Sequence, residues 1–146
     1  MEKYKHGYTQ GVYDMFHVGH LNLINNAKQQ CEYLTVGVNA DTLVWEYKHK
    51  HPIVSQEDRK KIVENIKAVD EAVIAYTLDK VEQLNIIKFD VIFIGDDWKG
   101  NPRWERTIID LQKLGADVVF LPYTRGVSST NLRKVENERV KECQSD

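Results

Sequence analysis

Apolar positions along this 146-residue chain alternate between two patterns. Short, nearly continuous apolar runs occur at Tyr33–Val38, Ala72–Ala75, Val91–Ile94 and Val118–Leu121. Runs of that length, rich in β-branched side chains, predict strands buried on both faces. Between them the apolar residues return at helical spacing. Leu21, Ile24, Ala27 and Cys31 predict a helix over about Gly19–Gln30. Ile62, Val63, Ile66 and Val69 predict another, opened by Ser55 with Asp58 three residues on, close to a capping box. Leu78–Ile87 reads as a third helix. Trp104, Ile108, Leu111 and Leu114 give a fourth its buried face, with Pro102 in its first turn and Gly115 at its end. Ser128 or Ser129 is suited to cap a last helix running towards Arg139, and the polar tail from about residue 139 is expected to fray.

Strands that alternate with helices and carry continuous apolar runs belong to an α/β protein with a mostly parallel sheet, covered by helices on both faces. The expectation is one Rossmann-like domain over residues 1–146, without repeats or linkers. Such sheets bind ligands beyond the carboxyl ends of their strands, near a switch in strand order. The segments that follow the predicted strands are therefore the places to look for chemistry.

Composition narrows the classes. Charged residues make up 29% and the net charge is −2, ordinary for a globular chain and unlike the basic excess of a nucleic-acid binder. The first residues lack the apolar run of a signal peptide, and no stretch approaches a membrane span, so neither secretion nor membrane insertion is expected. Cys31 and Cys143 do not suggest a disulfide framework, which points to a reducing cytoplasm.

The most informative segment is Gly11-Val12-Tyr13-Asp14-Met15-Phe16-His17-Val18-Gly19-His20, where a strand gives way to the first helix. Unpaired amides and the helix dipole favour an anion at such a start. His17 and His20 can donate hydrogen bonds to a phosphate, and Gly19 lets backbone come close. A histidine at a helix start is also a common capping residue, and the motif alone leaves that open. Structural zinc asks for four ligands, and no neighbouring Cys or acidic cluster completes a set, so no metal site is read here.

Three further segments collect after predicted strands. Lys48-His49-Lys50-His51 is a basic loop, either solvated surface or a clamp for charge on a transferring phosphoryl group. Arg59, one turn into the next helix, has a guanidinium fork suited to phosphate, or is an exposed helix residue. Gly95-Asp96-Asp97-Trp98 offers two acids for a turn, for a substrate hydroxyl or for a metal ion brought by a nucleotide. In Tyr123-Thr124-Arg125-Gly126-Val127-Ser128-Ser129-Thr130-Asn131-Leu132-Arg133 a glycine turn leads into hydroxyl residues at a helix start, a second anion site by the same physics. Two such sites on one edge suit a polyphosphate.

From about Gly11 to Arg133 the chain resembles the cytidylyltransferase branch of the nucleotidylyltransferase superfamily, and within it the glycerol-3-phosphate branch. His17-Val18-Gly19-His20 matches the superfamily motif, Lys48 and Lys50 a Lys-x-Lys loop, and Gly95-Asp96-Asp97-Trp98 the glycerol-3-phosphate branch specifically. Arg59, Lys67 and Asp70 also fall on motif positions, with Lys67 where the family usually has Arg. The resemblance implies transfer of CMP from CTP to a phosphorylated alcohol, releasing pyrophosphate, in a Mg2+-assisted reaction by a homodimer that could supply a surface polymer such as teichoic acid. His17, His20, Lys48 and Arg59 would be catalytic. Gly11, Val12, Tyr13, Asp14, Gly19, Asp96, Tyr123, Val127, Ser128, Ser129, Thr130 and Arg133 would hold the nucleotide, and Lys50, Lys67, Asp70, Asp97 and Trp98 the acceptor. Tyr123 departs from the pattern, since the family's last motif has Arg there and this chain carries Arg125 two residues later. The Ser128–Arg133 stretch also resembles adenylyltransferases of the superfamily.

Overall fold

Residues 3–96 and 99–122 are described by the structure, a computed structural model. In chain order they form β1 (Tyr4–Gly11), α1 (Val18–Lys28), β2 (Cys31–Asn39), α2 (Asp41–Lys48), α3 (Gln56–Glu64), β3 (Glu71–Ala75), α4 (Lys80–Ile87), β4 (Val91–Gly95), α5 (Pro102–Lys113) and β5 (Asp117–Leu121). The strands make one parallel sheet in the order β3-β2-β1-β4-β5. This is the α/β Rossmann-like arrangement that the alternating pattern predicts. The order reverses between β1 and β4, which fixes the switch point at their carboxyl ends, Gly11 and Gly95.

Each face of the sheet buries its own cluster. On one side Ile24 and Ala27 of α1 and Val63 of α3 pack on Leu34, Val36, Val38, Val91 and Phe93. On the other, Leu111 of α5 and the apolar side of α4 cover Tyr8, Ile92 and Ile94. The β1 strand lies at the centre despite its polar sequence, because its polar groups find partners. Thr9 donates its hydroxyl to the Phe93 carbonyl at 2.9 Å, and the Tyr8 hydroxyl donates to Gln10 Oε1 at 2.8 Å. Tyr8 also requires Gly37 on the neighbouring strand, since a Cβ there would lie 2.1 Å from its hydroxyl oxygen.

The helix ends follow the expected chemistry. Ser55 accepts the Asp58 amide at the start of α3, Pro102 sits in the first turn of α5, and Gly115 takes a left-handed φ of 89° just past its end. Four expectations need correction. Cys31 opens β2 and does not close α1. The α3 helix stops at Glu64, leaving Ile62 exposed and Val69 buried beyond the helix, and Leu114 points to solvent. Most consequentially, Asp41–Lys48 is a helix, so Lys48 closes α2 where the sequence predicts the start of a basic loop. The expected last helix and the tail lie outside the described residues.

Candidate functional site

At the carboxyl end of β1 the chain makes a strained turn. Tyr13 and Met15 adopt left-handed φ values of 56° and 49°, which cost a non-glycine residue about 1–2 kcal/mol each. Asp14 between them is buried, and its carboxylate oxygens accept the amides of Ile53 and Val54, each at 2.9 Å. Charge-assisted bonds of that kind offset the strain and tie the β1 loop to the segment before α3. Tyr13 is buried too, with its ring edge-on to His20 at 5.4 Å. A side chain at Gly11 would meet that ring at 3.1 Å, so glycine there makes room for Tyr13.

His17 is the N-cap of α1. Its Nδ1 accepts the Gly19 amide at 3.1 Å, while the His17 amide donates to Nδ1 of His20 at 3.2 Å, a reciprocal capping box built from two imidazoles. The rings stack with centroids 3.8 Å apart. With both Nδ1 atoms accepting, the proton of each neutral ring sits on Nε2, and both rings present an N–H donor there. Burial lowers the pKa of His17, and burial, aided by His17 and opposed by Asp14, pushes His20 down to about 4. Both rings are therefore neutral at pH 7. Nε2 of His17 is buried and has no hydrogen-bond partner among the described residues. A buried donor left unpaired costs on the order of 1–3 kcal/mol, which an acceptor-rich ligand would recover. Capping, one of the two readings left open by the sequence, occupies Nδ1 and leaves Nε2 of the same ring as a donor.

Arg59 is neither an exposed helix residue nor a group reaching into solvent. It is almost wholly buried, and its guanidinium donates to the carbonyls of Val54, Val12 and Asn39 at 2.9, 2.7 and 2.8 Å and to the Asp41 carboxylate. Those groups come from the ends of β1 and β2, the start of α2 and the segment before α3. Arg59 is a strap gathering the loops of the carboxyl edge, and its action on a phosphate would run through what it positions.

Lys48 and Lys50 are exposed at the end of α2 and just beyond it, on the same edge. Asp96 is exposed directly after β4, across the switch point from the β1 loop. Backbone pairing between β1 and β4 covers Gly7–Tyr8 against Val91–Ile92, and at the next position the Thr9 hydroxyl takes the carbonyl instead. Gly11, Val12, Tyr13, Asp14, Gly19, His17, His20, Lys48, Lys50, Arg59 and Asp96 thus collect at the carboxyl edge. Lys67 and Asp70 do not join them within one chain. Asp70 precedes β3, accepts the Leu34 amide and pairs with Lys28 at 2.6 Å, several residues towards the amino end of the sheet. Its carboxyl is held below its ordinary pKa, burial being outweighed by the Lys28 and Leu34 hydrogen bonds. Asp97, Trp98, Tyr123, Arg125, Val127, Ser128, Ser129, Thr130 and Arg133 lie outside the described residues.

Sequence reasoning did not find the polar chain beside this site. Gln10 donates to Asn39 Oδ1 at 2.8 Å and to the Thr77 carbonyl at 3.0 Å, and Asn39 Nδ2 donates to the Tyr47 hydroxyl at 3.1 Å. A Gln and an Asn ending adjacent strands are a faint signal, readable only once the strands are known to be neighbours.

The family model of cytidylyltransferase-like proteins matches residues 8–135. The chain belongs to that family. Glycerol-3-phosphate cytidylyltransferase of Bacillus subtilis is 36% identical over 128 residues, covering 86% of this chain and 92% of that one. The Staphylococcus aureus protein of the same name is 32% identical over 130 residues, covering 86% and 90%. Among solved structures, a lipopolysaccharide core biosynthesis protein from Thermoplasma volcanium superposes with a TM-score of 0.69 at 25% identity, over 83% of this chain and 97% of that one. The enzyme is a nucleotidyltransferase, and the imidazole pair at the switch point lies within the residues matched by the family model. No helix among the described residues is long and apolar enough to cross a membrane.

Proposed function

We propose that this cytidylyltransferase-like protein transfers CMP from CTP to glycerol 3-phosphate, giving CDP-glycerol and pyrophosphate. The observation that carries the choice of substrate is the likeness, over 92% of its length, to a relative named for that reaction. Gly95-Asp96-Asp97-Trp98, resembling the glycerol-3-phosphate branch, supports it.

In this reading a phosphate oxygen of the acceptor attacks the α phosphorus of CTP in line. The bond from that phosphorus to the bridging oxygen breaks, pyrophosphate leaves, and no covalent bond to the enzyme forms. The protein's work is positioning and charge stabilisation. Nε2–H of His17 and of His20 would donate to the triphosphate as charge grows on the leaving oxygens. Lys48 would bridge acceptor and α phosphate, with Lys50 beside it. Arg59 and Asp14 would hold the loops in register. Ser128, Ser129, Thr130 and Arg133 would take the far phosphates.

The resemblance also implies magnesium. Among the described residues no group of three or more His, Cys, Asp or Glu is gathered for a metal, and both Asp14 oxygens are engaged by amides. Mg2+ would arrive on the nucleotide and supply charge neutralisation for the phosphates. A homodimer is proposed on the same resemblance.

Pyrophosphate release is the test, measured with CTP and then ATP against glycerol 3-phosphate, phosphocholine, phosphoethanolamine and a pentitol phosphate. The expected result is turnover with CTP and glycerol 3-phosphate well above every other pair. Preference for ATP, or for another acceptor, overturns the substrate assignment. Nucleotide binding without pyrophosphate from any pair overturns the reaction.

A further inference from the structure

We infer that Tyr47 is a positioning residue that sets the direction of the Lys48 ammonium. This rests on the bridging role given to Lys48 above. The Lys48 Nζ lies 5.7 Å from the centroid of the Tyr47 ring, within reach of a cation–π attraction.

What makes Tyr47 a fixed platform is its hydroxyl. That oxygen accepts from Nδ2 of Asn39, a buried residue at the end of β2. Asn39 in turn accepts from Gln10, which also donates to the Thr77 carbonyl and accepts from the buried Tyr8 hydroxyl. Each amide orientation is set by its neighbours, so the chain has one consistent direction, from Tyr8 in the sheet to Tyr47 on α2. The backbone carbonyl of Asn39 is held by Arg59. The ring under Lys48 is thereby referenced to β1 and β2, the strands that also carry the histidine loop. Beyond Lys48 the chain is braced a second time, with Trp45 stacked on His51 at 4.6 Å and edge-on to His49 at 5.9 Å.

A residue acting through another is exposed by a double-mutant cycle. Tyr47→Phe keeps the ring and loses the anchor, whereas Tyr47→Leu loses both. We expect kcat to fall about threefold to thirtyfold in Tyr47→Leu, the range of a cation–π contact, and less in Tyr47→Phe, with KM for CTP little changed. In a Lys48→Ala background, Tyr47→Leu should cost nearly nothing more. The ε-methylene protons of Lys48, followed by NMR, should carry an upfield ring-current shift that Tyr47→Leu removes. If Tyr47→Leu costs as much with Ala at position 48 as with Lys, or if no ring-current shift is present in the parent protein, the positioning role is wrong while the Lys48 assignment stands. If Lys48→Ala alone turns over like the parent, the assignment of Lys48 fails first and Tyr47 has nothing to position.

Discussion

His17 commits only one of its two ring nitrogens to the fold. Nδ1 holds the start of α1 through Gly19, and Nε2 is buried without a partner among the described residues. Replacing either histidine by Ala removes a cap and an N–H donor together, so we expect saturated turnover with CTP to drop at least about a hundredfold. His17→Asn is the sharper variant, because its side-chain oxygen can still cap the helix while Nε2–H is gone. It should keep the thermal midpoint close to the parent and still lose activity. Near-normal turnover in His17→Asn would leave the histidine with capping alone. The pair also predicts a pH dependence. His20 titrates near 4 in the folded chain against about 6.5 when unfolded, so the unfolded state binds more protons between those values. Stability of the ligand-free protein should therefore rise with pH from about 4 to 6.5 and be fully present above. A polyanion at the site favours the imidazolium, so nucleotide binding near pH 5 should take up protons. Calorimetry in two buffers of different ionisation enthalpy reads that uptake directly, and no uptake would mean that the anion does not sit against His20.

At the scale of elements, Arg59 shows where reading a sequence stops. Its place one turn into α3 is legible, since Ser55 caps that helix as expected. The place of its guanidinium is not, because it depends on carbonyls from residues 12, 39 and 54, which become neighbours only when three loops meet. The α2 helix is illegible for a similar reason. Its buried residues are Leu43 and Val44, too few for a periodic stripe, and it stands because Asp41 exchanges hydrogen bonds with Gln56 and receives Arg59. Strands β2 to β5 are legible because continuous apolar runs need no partner to be recognised, while polar β1 shows only through the motif that follows it. A strap predicts a different failure from a phosphate ligand. Arg59→Met leaves three carbonyls and the partly exposed Asp41 carboxylate without their donor, and a buried group left unpaired costs about 1–3 kcal/mol. Urea unfolding should show a loss of that order, with kcat falling as the β1 loop and α2 lose register. Unchanged stability with a raised KM for either substrate would return Arg59 to direct contact with phosphate.

For the molecule as a whole, the reversed strand order separates what holds the fold from what would hold a ligand. One apolar cluster lies under α1 and α3, the other under α4 and α5, and a ligand at the switch point would touch the loops after β1 and β4 that crown both. Nucleotide should therefore stabilise the chain in a single transition. At a hundred times its Kd, CTP adds about 2.7 kcal/mol, which for a chain of this length raises the midpoint by roughly 5–10 °C. Two variants divide that effect. Leu111, fully buried on the far face, can be cut to Ala at a cost of about 2–5 kcal/mol, lowering the midpoint at every CTP concentration and leaving the CTP-induced rise intact. His17→Asn should do the reverse, keeping the ligand-free midpoint and losing most of the rise. Differential scanning fluorimetry over a CTP series measures both variants side by side. If the rise vanishes in Leu111→Ala and survives in His17→Asn, the ligand is held from the α4–α5 side of the sheet, and the imidazole pair is a helix cap that happens to stand beside it.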